Sequence, residues 1–201
     1  MGELIHDIYG IERLAFAPGD IAVDIGGNQG VVSIYLAKKH PGLRVFLYEP
    51  VPDSLRLCRR NIEANGVTNV TVVPKAVTAD GRTLTLAARR DFLGGASAHY
   101  DGARVAGAGH VQYTAESVTL DQLFETHGIT RCKLLKIDCE GSEHEILRAA
   151  SVLGRVENLS GEFHINRALE AKGHSIEGLR AFCARFVAPD NIRVTAVTMA
   201  D

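Results

Sequence analysis

The sequence predicts a doubly wound α/β fold with one mostly parallel sheet. The chain has 201 residues, which suits a single compact domain. Short apolar runs alternate with amphipathic segments, and this alternation is typical of parallel strands joined by right-handed helical crossovers. Several runs end in an acidic residue or a glycine turn. Because ligands of such sheets bind beyond the carboxyl ends of the strands, we expect the functional residues there.

The first half of the chain predicts a complete strand–helix–strand–helix–strand unit. The apolar run DIAVDI at 20–25 precedes glycines, which indicates a buried strand and a tight turn. The next helix ends in Lys38, Lys39 and His40, basic residues that suit a helix C-terminus. The expected elements are strand 20–25, helix 31–40, strand 43–48, a helix from 53 to 65 and strand 70–73.

The second half repeats the alternation after a less regular middle. The Gly- and Ala-rich stretch 91–110 predicts a mobile surface loop, within a substrate-side insertion over 88–115. Thr119 is the expected N-cap of the following helix. We expect one domain over 1–201, with an N-terminal segment at 1–18. The other expected elements are strands 83–87, 111–118, 133–137, 156–163 and 192–199, and helices 142–150 and 176–186.

Composition and charge exclude several classes of function. The 22 basic and 24 acidic side chains give a net charge of −2, without a basic block that could hold nucleic acid. A hydrophobic content of 46% excludes a disordered chain. No apolar run approaches the roughly 18 residues of a membrane span. The absence of Trp argues against stacking platforms for single-stranded nucleic acid. We therefore expect neither nucleic acid nor a membrane as partner.

The cysteines and the N-terminus predict a cytoplasmic protein. Cys58, Cys132, Cys139 and Cys183 form no C-x-x-C pair and no disulfide framework, so we expect reduced, mostly buried thiols. The N-terminal residues include acids and lack a long apolar core, which is not the pattern of a secretory signal.

The loop after the first strand contains Asp24, Gly26, Gly27, Asn28 and Gly30. Its glycines allow a sharp turn and a close approach of the backbone to a ligand, although a plain strand-to-helix turn also explains them. Their register differs from the G-x-G-x-x-G of dinucleotide sites, and no P-loop Lys-Ser/Thr pair follows. A carboxylate at 24 would also lie close to phosphates. A cationic, phosphate-free ligand fits better, and S-adenosylmethionine is such a ligand.

Two further strand ends extend this expected cofactor site. Glu49 ends the second strand, where an acid can accept hydrogen bonds from ribose hydroxyls. The third strand runs into residues 74–77, and we expect Ala76 near the adenine. An ordinary strand exit explains residues 74–77 equally well.

The next two strands of the alternation end in acids and a histidine. Lys136, Asp138 and Glu140 alternate at the end of an apolar run, where charges are costly unless they are paired or functional. Neighbouring strands would bring Glu162 and His164 beside Asp138 and Glu140. Carboxylates around His164 would raise its pKa and make it a candidate general base. The same four side chains could instead hold a hard divalent cation, although no compact ligand motif supports that alternative.

Three neighbours have structural explanations. Lys136 can pair with the acids, and Ser142 and Glu143 can cap the helix that follows. Capping does not explain Asp138 and Glu140.

Four segments resemble the FkbM-like family of S-adenosylmethionine-dependent methyltransferases. They are VDIGGNQG, YEPVPDSLRLCRRNIEANGVTNVTVVPKAV, TLDQLF and LLKIDCEGSEHEIL, and KIDCEGSE is the most specific part. The resemblance runs from about Asp20 to His164. It implies a class I methyltransferase fold whose last strand is antiparallel to the others. It also implies methyl transfer to a hydroxyl oxygen, often on sugars, polyketides or other natural products.

The resemblance also implies roles for residues of this sequence. It implies cofactor contacts at Asp24, Gly26, Asn28, Gly30 and Glu49. It places Asp138 near the methyl donor with Glu140 beside it, and it places Glu162 and His164 toward the acceptor. The short stretch before the first strand implies that an N-terminal lid is short or absent.

The expected reaction is in-line displacement at the methyl group by a hydroxyl oxygen. The sulfonium makes the methyl group electrophilic, so the protein mainly has to position and desolvate the acceptor. His164 or Asp138 would take the hydroxyl proton, with Glu140 and Glu162 orienting that base or a metal. The loop around 94–97 is either a lid over the substrate or an insertion without a role.

Two other function classes stay open at this point. A nicotinamide-dependent oxidoreductase is disfavoured by the glycine register. A non-catalytic cofactor-binding domain is disfavoured by the acids at buried strand ends. The identity of the acceptor, O- against N-methylation and the oligomeric state are also open, including a homodimer through a sheet edge near the C-terminus.

Overall fold

A computed structural model describes residue 7 and residues 9–89, 92–97 and 110–199. The strands are β1 (Ile21–Ile25), β2 (Arg44–Tyr48), β3 (Val70–Val73), β4 (Ala76–Val77), β5 (Leu84–Arg89), β6 (Phe92–Ser97), β7 (His110–Ala115), β8 (Ser117–Val118), β9 (Leu134–Ile137), β10 (Leu159–Ile165) and β11 (Ile192–Thr198). The α-helices are α1 (Val31–Lys39), α2 (Pro52–Ala64), α3 (Leu120–Thr126), α4 (Glu143–Ala149), α5 (Arg167–Ala171) and α6 (Ile176–Cys183).

The centre of the molecule is a six-stranded sheet with the order β11-β10-β9-β1-β2-β3. All neighbouring strands in it run parallel, which confirms the predicted doubly wound α/β fold. The antiparallel last strand implied by the resemblance is wrong, because β11 pairs parallel with β10 along its whole length. The physical reason is that α6 connects the two strands and packs on both, and such a crossover returns the chain in the same direction.

Alternate residues of β1 face opposite sides of the sheet and enter two separate cores. The larger core, covered by α3, α4 and α6, takes Ile21, Val23 and Ile25. The second core contains Ala22, side chains of α1, and the N-terminal residues Tyr9 and Ile11. Asp24 shares the face of Ala22, and it is therefore directed toward α1 and not toward the larger core.

The N-terminus of α3 confirms the predicted cap. The Thr119 side chain accepts a hydrogen bond from the Gln122 N–H, and the Gln122 side chain accepts one from the Thr119 N–H. This reciprocal arrangement is a capping box, and it satisfies two N–H groups that the helix cannot pair.

The middle of the chain differs from the prediction. Residues 92–97 form strand β6, which pairs antiparallel with β5, and β5 also pairs with β7. The predicted loop over 91–110 is therefore wrong at 92–97. Glycines at 94 and 95 lower strand propensity, but an edge strand tolerates them. The other residues of that predicted loop, apart from His110 in β7, lie outside the described residues.

Among the described residues, no helix combines the length and the apolar character needed to span a membrane.

Candidate active site

A crevice of about 650 Å³, including its open mouth, lies beyond the carboxyl ends of β1, β2 and β9. β1 lies between β2 and β9, so the crevice occupies the switch point where parallel sheets of this type bind ligands. Its walls are formed by Ile25, Gly26, Asn28, Tyr48, Glu49, Pro50, Val51, Lys75, Ala76, Val77, Leu84, Leu86, Asp138, Cys139, Glu140 and Ser142.

Gly26 brings two strand-end loops into contact. Its φ is +75°, and a Cβ at this position would lie 1.8 Å from the carbonyl oxygen of Asp138. Only glycine permits that approach. The loop after β1 and the loop after β9 therefore touch through their backbones.

Gly27 and Gly30, which we expected at the cofactor, do not line the crevice. A Cβ on Gly27 would lie 2.3 Å from the Leu47 side chain, and a Cβ on Gly30 would lie 2.8 Å from the Cys58 sulfur. These two glycines make room for side chains behind the loop.

Asn28 and Glu49 meet at the mouth of the glycine loop. The Asn28 N–H donates to Glu49 Oε2 at 2.8 Å, and the Val51 N–H donates to Glu49 Oε1 at 2.8 Å. Burial raises the pKa of Glu49, and these two backbone hydrogen bonds act in the opposite direction. Within the described part of the chain, Asn28 Oδ1 is buried without a hydrogen-bond partner. A buried acceptor of this kind is a position that a ligand donor would complete.

Asp24 lies behind the crevice and does not line it. Its side chain is 1% exposed, and its Oδ2 accepts a hydrogen bond from Ser33 Oγ at 2.7 Å. Its Oδ1 lies 3.1 Å from Lys136 Nζ. The structure therefore places Asp24 against a lysine and a serine behind the loop, whereas the family resemblance implied a cofactor contact.

Lys136 pairs with the acids, as predicted. Its Nζ donates to the Gly26 carbonyl at 2.9 Å and lies 3.7 Å from Asp138 Oδ2. Burial disfavours the charged ammonium, but the carboxylates of Asp24 and Asp138 outweigh that effect and raise the pKa of Lys136. This lysine stays charged and connects the ends of β1 and β9.

His164 lies among four carboxylates at the end of β10. Its Nε2 is 3.6 Å from Glu162 Oε2, 3.7 Å from Glu140 Oε2 and 3.9 Å from Asp138 Oδ1. Its Nδ1 is 3.1 Å from Oε1 of Glu143. The predicted convergence of acids on one imidazole is confirmed.

The surrounding charges shift the proton affinities of this group. Burial lowers the pKa of His164, but the hydrogen bond to Glu143 and the charges of the nearby carboxylates raise it to about 9. Burial, together with like charges, raises the pKa of Glu140 to about 7. At neutral pH the imidazole therefore carries a proton, while Glu140 is poised between its two states.

The four predicted catalytic residues differ in their access to the crevice. Asp138 and Glu140 line it, whereas His164 and Glu162 do not. His164 is 2% exposed and lies behind the two carboxylates. An acceptor in the crevice would meet the carboxylates before it met the imidazole.

Tyr9 belongs to this site, and sequence reasoning missed it. Its hydroxyl donates to Asp138 Oδ2 at 3.4 Å, and its ring lies 5.6 Å from Lys136 Nζ. Tyr9 precedes the first strand and carries no local motif, so no pattern in the sequence marks it.

Glu143 has a different role from the predicted one. It accepts hydrogen bonds from the Cys139 N–H at 2.6 Å and the Gly141 N–H at 3.0 Å, in the loop before α4. The Ser142 side chain makes no capping hydrogen bond to that helix, so the predicted Ser142 cap is wrong. One signal in the sequence could have indicated Glu143. It is the third acid of KIDCEGSE and the first residue of α4, close to Asp138 and Glu140.

This group of side chains does not fit a metal site. Single ligand atoms of Asp138, Glu143 and His164 lie within 4.8 Å of one another. However, Glu143 already accepts two backbone N–H groups and contacts His164 Nδ1, so both of its oxygens hold the loop and the imidazole. We therefore assign no metal here. The alternative set that includes Glu140 and Glu162 has no support either.

A family model and several known proteins match this chain. The Methyltransferase FkbM domain model matches residues 24–182. Methyltransferase 1 of Beauveria bassiana is 24% identical over 203 residues, covering 87% of this chain and 81% of that protein. The 31-O-demethyl-FK506 methyltransferase FkbM of Streptomyces tacrolimicus is 29% identical over 153 residues, covering 65% of this chain. The chain spans 59% of the length of that relative.

A solved structure supports the fold. A putative rRNA-methylase from Clostridium thermocellum superposes with a TM-score of 0.52 at 12% identity, covering 90% of this chain and 78% of that chain. At this identity the likeness concerns the fold alone, and it agrees with the parallel α/β architecture of the central sheet. Because the family model matches more than half of the residues, the chain belongs to the FkbM methyltransferase domain family.

Proposed function

We propose that this protein is an S-adenosylmethionine-dependent methyltransferase that methylates a hydroxyl group of a small molecule. The observation that carries the proposal is the crevice itself, in which a glycine-shaped loop meets two carboxylates of a strongly acidic group. The name of the relative from Streptomyces tacrolimicus, 31-O-demethyl-FK506 methyltransferase, describes methylation at an oxygen of a small molecule. That name supports the class of acceptor.

The residues of the glycine side fit the adenosyl cofactor. Glu49 keeps free lone pairs beside its two backbone hydrogen bonds, and these can accept ribose hydroxyls. Asn28 Oδ1 is the buried acceptor that a bound donor would complete. Ala76 and Val77 supply apolar wall for the adenine. When bound, the cofactor supplies a methyl group on a positively charged sulfur.

The buried carboxylate of Asp24 has a structural role in this site. Asp24 holds Lys136, and Lys136 holds the Gly26 carbonyl, so the loop keeps its shape without a ligand. A preformed loop lowers the ordering cost of binding. In this proposal Asp24, Gly27 and Gly30 support the cofactor site from behind.

Asp138 and Glu140 are the residues that we propose as proton acceptors. Both line the crevice, and a pKa of about 7 allows Glu140 to take a proton near neutral pH and release it again. Asp138 is oriented by Tyr9 and Lys136. His164 faces both carboxylates from behind, and we propose that its positive charge offsets part of theirs, while Glu162 lies beside the imidazole.

The experiment is methyl transfer from cofactor with a labelled methyl group to a library of sugars, polyketides and other hydroxylated metabolites. We expect products that carry one additional methyl group on oxygen, located by NMR. Methylation of nitrogen alone would overturn the O-methyl assignment. Full binding of the cofactor without product from any acceptor would contradict the enzymatic function.

A pair of variants tests the proposed acid–base residues in the same assay. Glu140→Gln keeps the size of the side chain and removes its proton affinity, so we expect kcat to fall about 10²- to 10⁴-fold with unchanged cofactor affinity. Glu145→Gln is the matched control, because Glu145 lies on α4 outside the crevice and pairs with Arg82. Equal activity of the two variants would remove Glu140 from the mechanism.

A further inference from the structure

Glu143 is a completely buried carboxylate that the proposed reaction does not yet use. Its side chain is 0% exposed and it begins α4. Removing a carboxylate from water is costly unless hydrogen bonds and opposite charge compensate. The contacts that compensate Glu143 show what it holds in place.

Those contacts join two strand ends. Oε1 accepts from the Cys139 N–H and lies 3.1 Å from His164 Nδ1, while Oε2 accepts from the Gly141 N–H. The two backbone donors flank Glu140, whose φ of +52° is the left-handed region that side chains rarely adopt. One carboxylate therefore fixes the loop of Glu140 after β9 and the imidazole at the end of β10.

We propose that Glu143 is the positioning residue of the active site, which holds His164 Nε2 toward Asp138 and Glu140 and holds the Glu140 loop in its left-handed conformation. The inference rests on the proposed function, in which Asp138 and Glu140 accept the proton. A carboxylate on Nδ1 fixes the orientation of an imidazole and decides which nitrogen faces the reacting groups. Glu143 would act only through these residues.

Among the described residues, the groups that face His164 come from the loop after β9, from β10 and from α4. Asp138 and Glu140 face it from the loop after β9, Glu162 from β10, and Glu143 from α4. Lys136 reaches the group through Asp138. His144, also on α4, contacts the backbone carbonyl oxygen of His164 through Nε2 at 2.9 Å. This contact involves the backbone of His164 and not its imidazole.

The first test needs neither cofactor nor acceptor. In ¹⁵N-histidine-labelled protein, assigned with His164→Gln, we expect the His164 Nδ1 to carry a hydrogen-bonded proton at neutral pH. In Glu143→Gln we expect the titration of His164 to move to lower pH, while Glu145→Gln leaves it in place. A wild-type Nδ1 without a proton, or an unchanged titration in folded Glu143→Gln, would overturn the proposal.

The second test separates positioning from stability. We expect Glu143→Gln to lower kcat at least 10-fold and to shift the pH profile of kcat, with the KM for S-adenosylmethionine unchanged. Glu143→Asp retains the charge and should restore part of both. Loss of thermal stability with an unshifted pH profile would show a structural role only. If Glu143→Gln does not fold, Glu143→Asp and the wild-type Nδ1 measurement still decide.

The two proposals can fail separately. A shifted His164 titration in a protein that methylates nothing would support the positioning role and refute the proposed function. Methyl transfer by wild type together with an unshifted titration in Glu143→Gln would do the reverse.

Discussion

The two sides of the crevice balance their charges in different ways. The cradle side, formed by residues 24–30 and 48–51, pairs its buried carboxylates with hydrogen-bond donors or a cation. Asp24 has a serine hydroxyl and the ammonium of Lys136, and Glu49 has two backbone N–H groups. These pairings fix the shape of the loop before any ligand binds.

The acidic side, formed by residues 138–143 and 162–164, has an excess of carboxylates. Four of them surround one imidazole, and the pKa values of His164 and Glu140 are raised to about 9 and about 7. A side with paired charges suits binding, and a side that stores a proton suits chemistry. The difference teaches that the carboxyl edge of one parallel sheet can assign ligand binding to some strand ends and proton transfer to their neighbours.

The contact between the two sides is the easiest feature to break. Gly26→Ala would drive a Cβ to 1.8 Å from the Asp138 carbonyl oxygen, in a backbone region that disfavours alanine. We expect the free energy of unfolding to fall by about 4 kcal/mol or more in urea denaturation. Gly128→Ala has a similar φ of +61° with open space around it, so we expect only about 1 to 2 kcal/mol. Equal losses in the two variants would disprove the close approach.

The second-largest loss of stability is expected when Lys136, the cation shared by Asp24 and Asp138, is removed. Lys136→Met leaves Asp24 buried opposite an apolar side chain, and we expect a loss of about 3 to 5 kcal/mol in the free energy of unfolding. Lys133→Met is the control, because the Lys133–Glu157 pair is partly exposed and should contribute about 1 kcal/mol or less. A Lys136→Met protein as stable as Lys133→Met would show that Asp24 does not need its partner.

The sequence predicted both sides because the register of parallel strands is encoded locally. Polar residues follow each apolar run, and adjacent parallel strands bring these polar residues together at the carboxyl edge of the sheet. The acids after β9 and the histidine near the end of β10 could therefore be assigned to one site from the alternation alone. The role of Lys136 followed from the cost of burying a charge at the end of an interior strand.

The parts that the sequence did not predict depend on distant contacts or on ambiguous residues. Tyr9 meets Asp138 across 129 positions, and nothing local indicates that contact. From the sequence alone, Glu143 fits a helix cap as well as a buried carboxylate that holds a loop. Only its contact with His164 distinguishes the two roles. The direction of β11 depends on the crossover through α6, which the family resemblance did not describe for this chain.

The pH dependence of stability tests the acidic side. The pKa of His164 rises from its ordinary 6.5 to about 9 on folding, so its contribution is complete below pH 6.5 and is lost as the pH rises through 9. The difference corresponds to at most about 3 kcal/mol. We expect wild type to lose stability over this window more steeply than His164→Gln in urea titrations. Parallel curves for the two proteins would contradict a raised pKa.

The smallest expected loss of stability comes from removing the Ser33 hydroxyl, which donates to Asp24. Ser33→Ala removes the hydrogen bond to the buried carboxylate of Asp24, and we expect a loss of about 1 to 2 kcal/mol in the free energy of unfolding. Ser151→Ala removes a similar hydrogen bond to Asp121 at an exposed site, where water replaces the hydroxyl and about 0.5 kcal/mol or less is expected. A larger loss in Ser151→Ala would show that burial does not govern these pairs.

Calorimetric titration of the unmodified protein tests the cradle side directly. We predict saturable binding of S-adenosylmethionine and S-adenosylhomocysteine, at least 10-fold weaker binding in Glu49→Ala, and no binding of NAD. Binding of NAD alone, or S-adenosylmethionine affinity that Glu49→Ala leaves unchanged, would contradict a crevice built for a phosphate-free adenosyl compound.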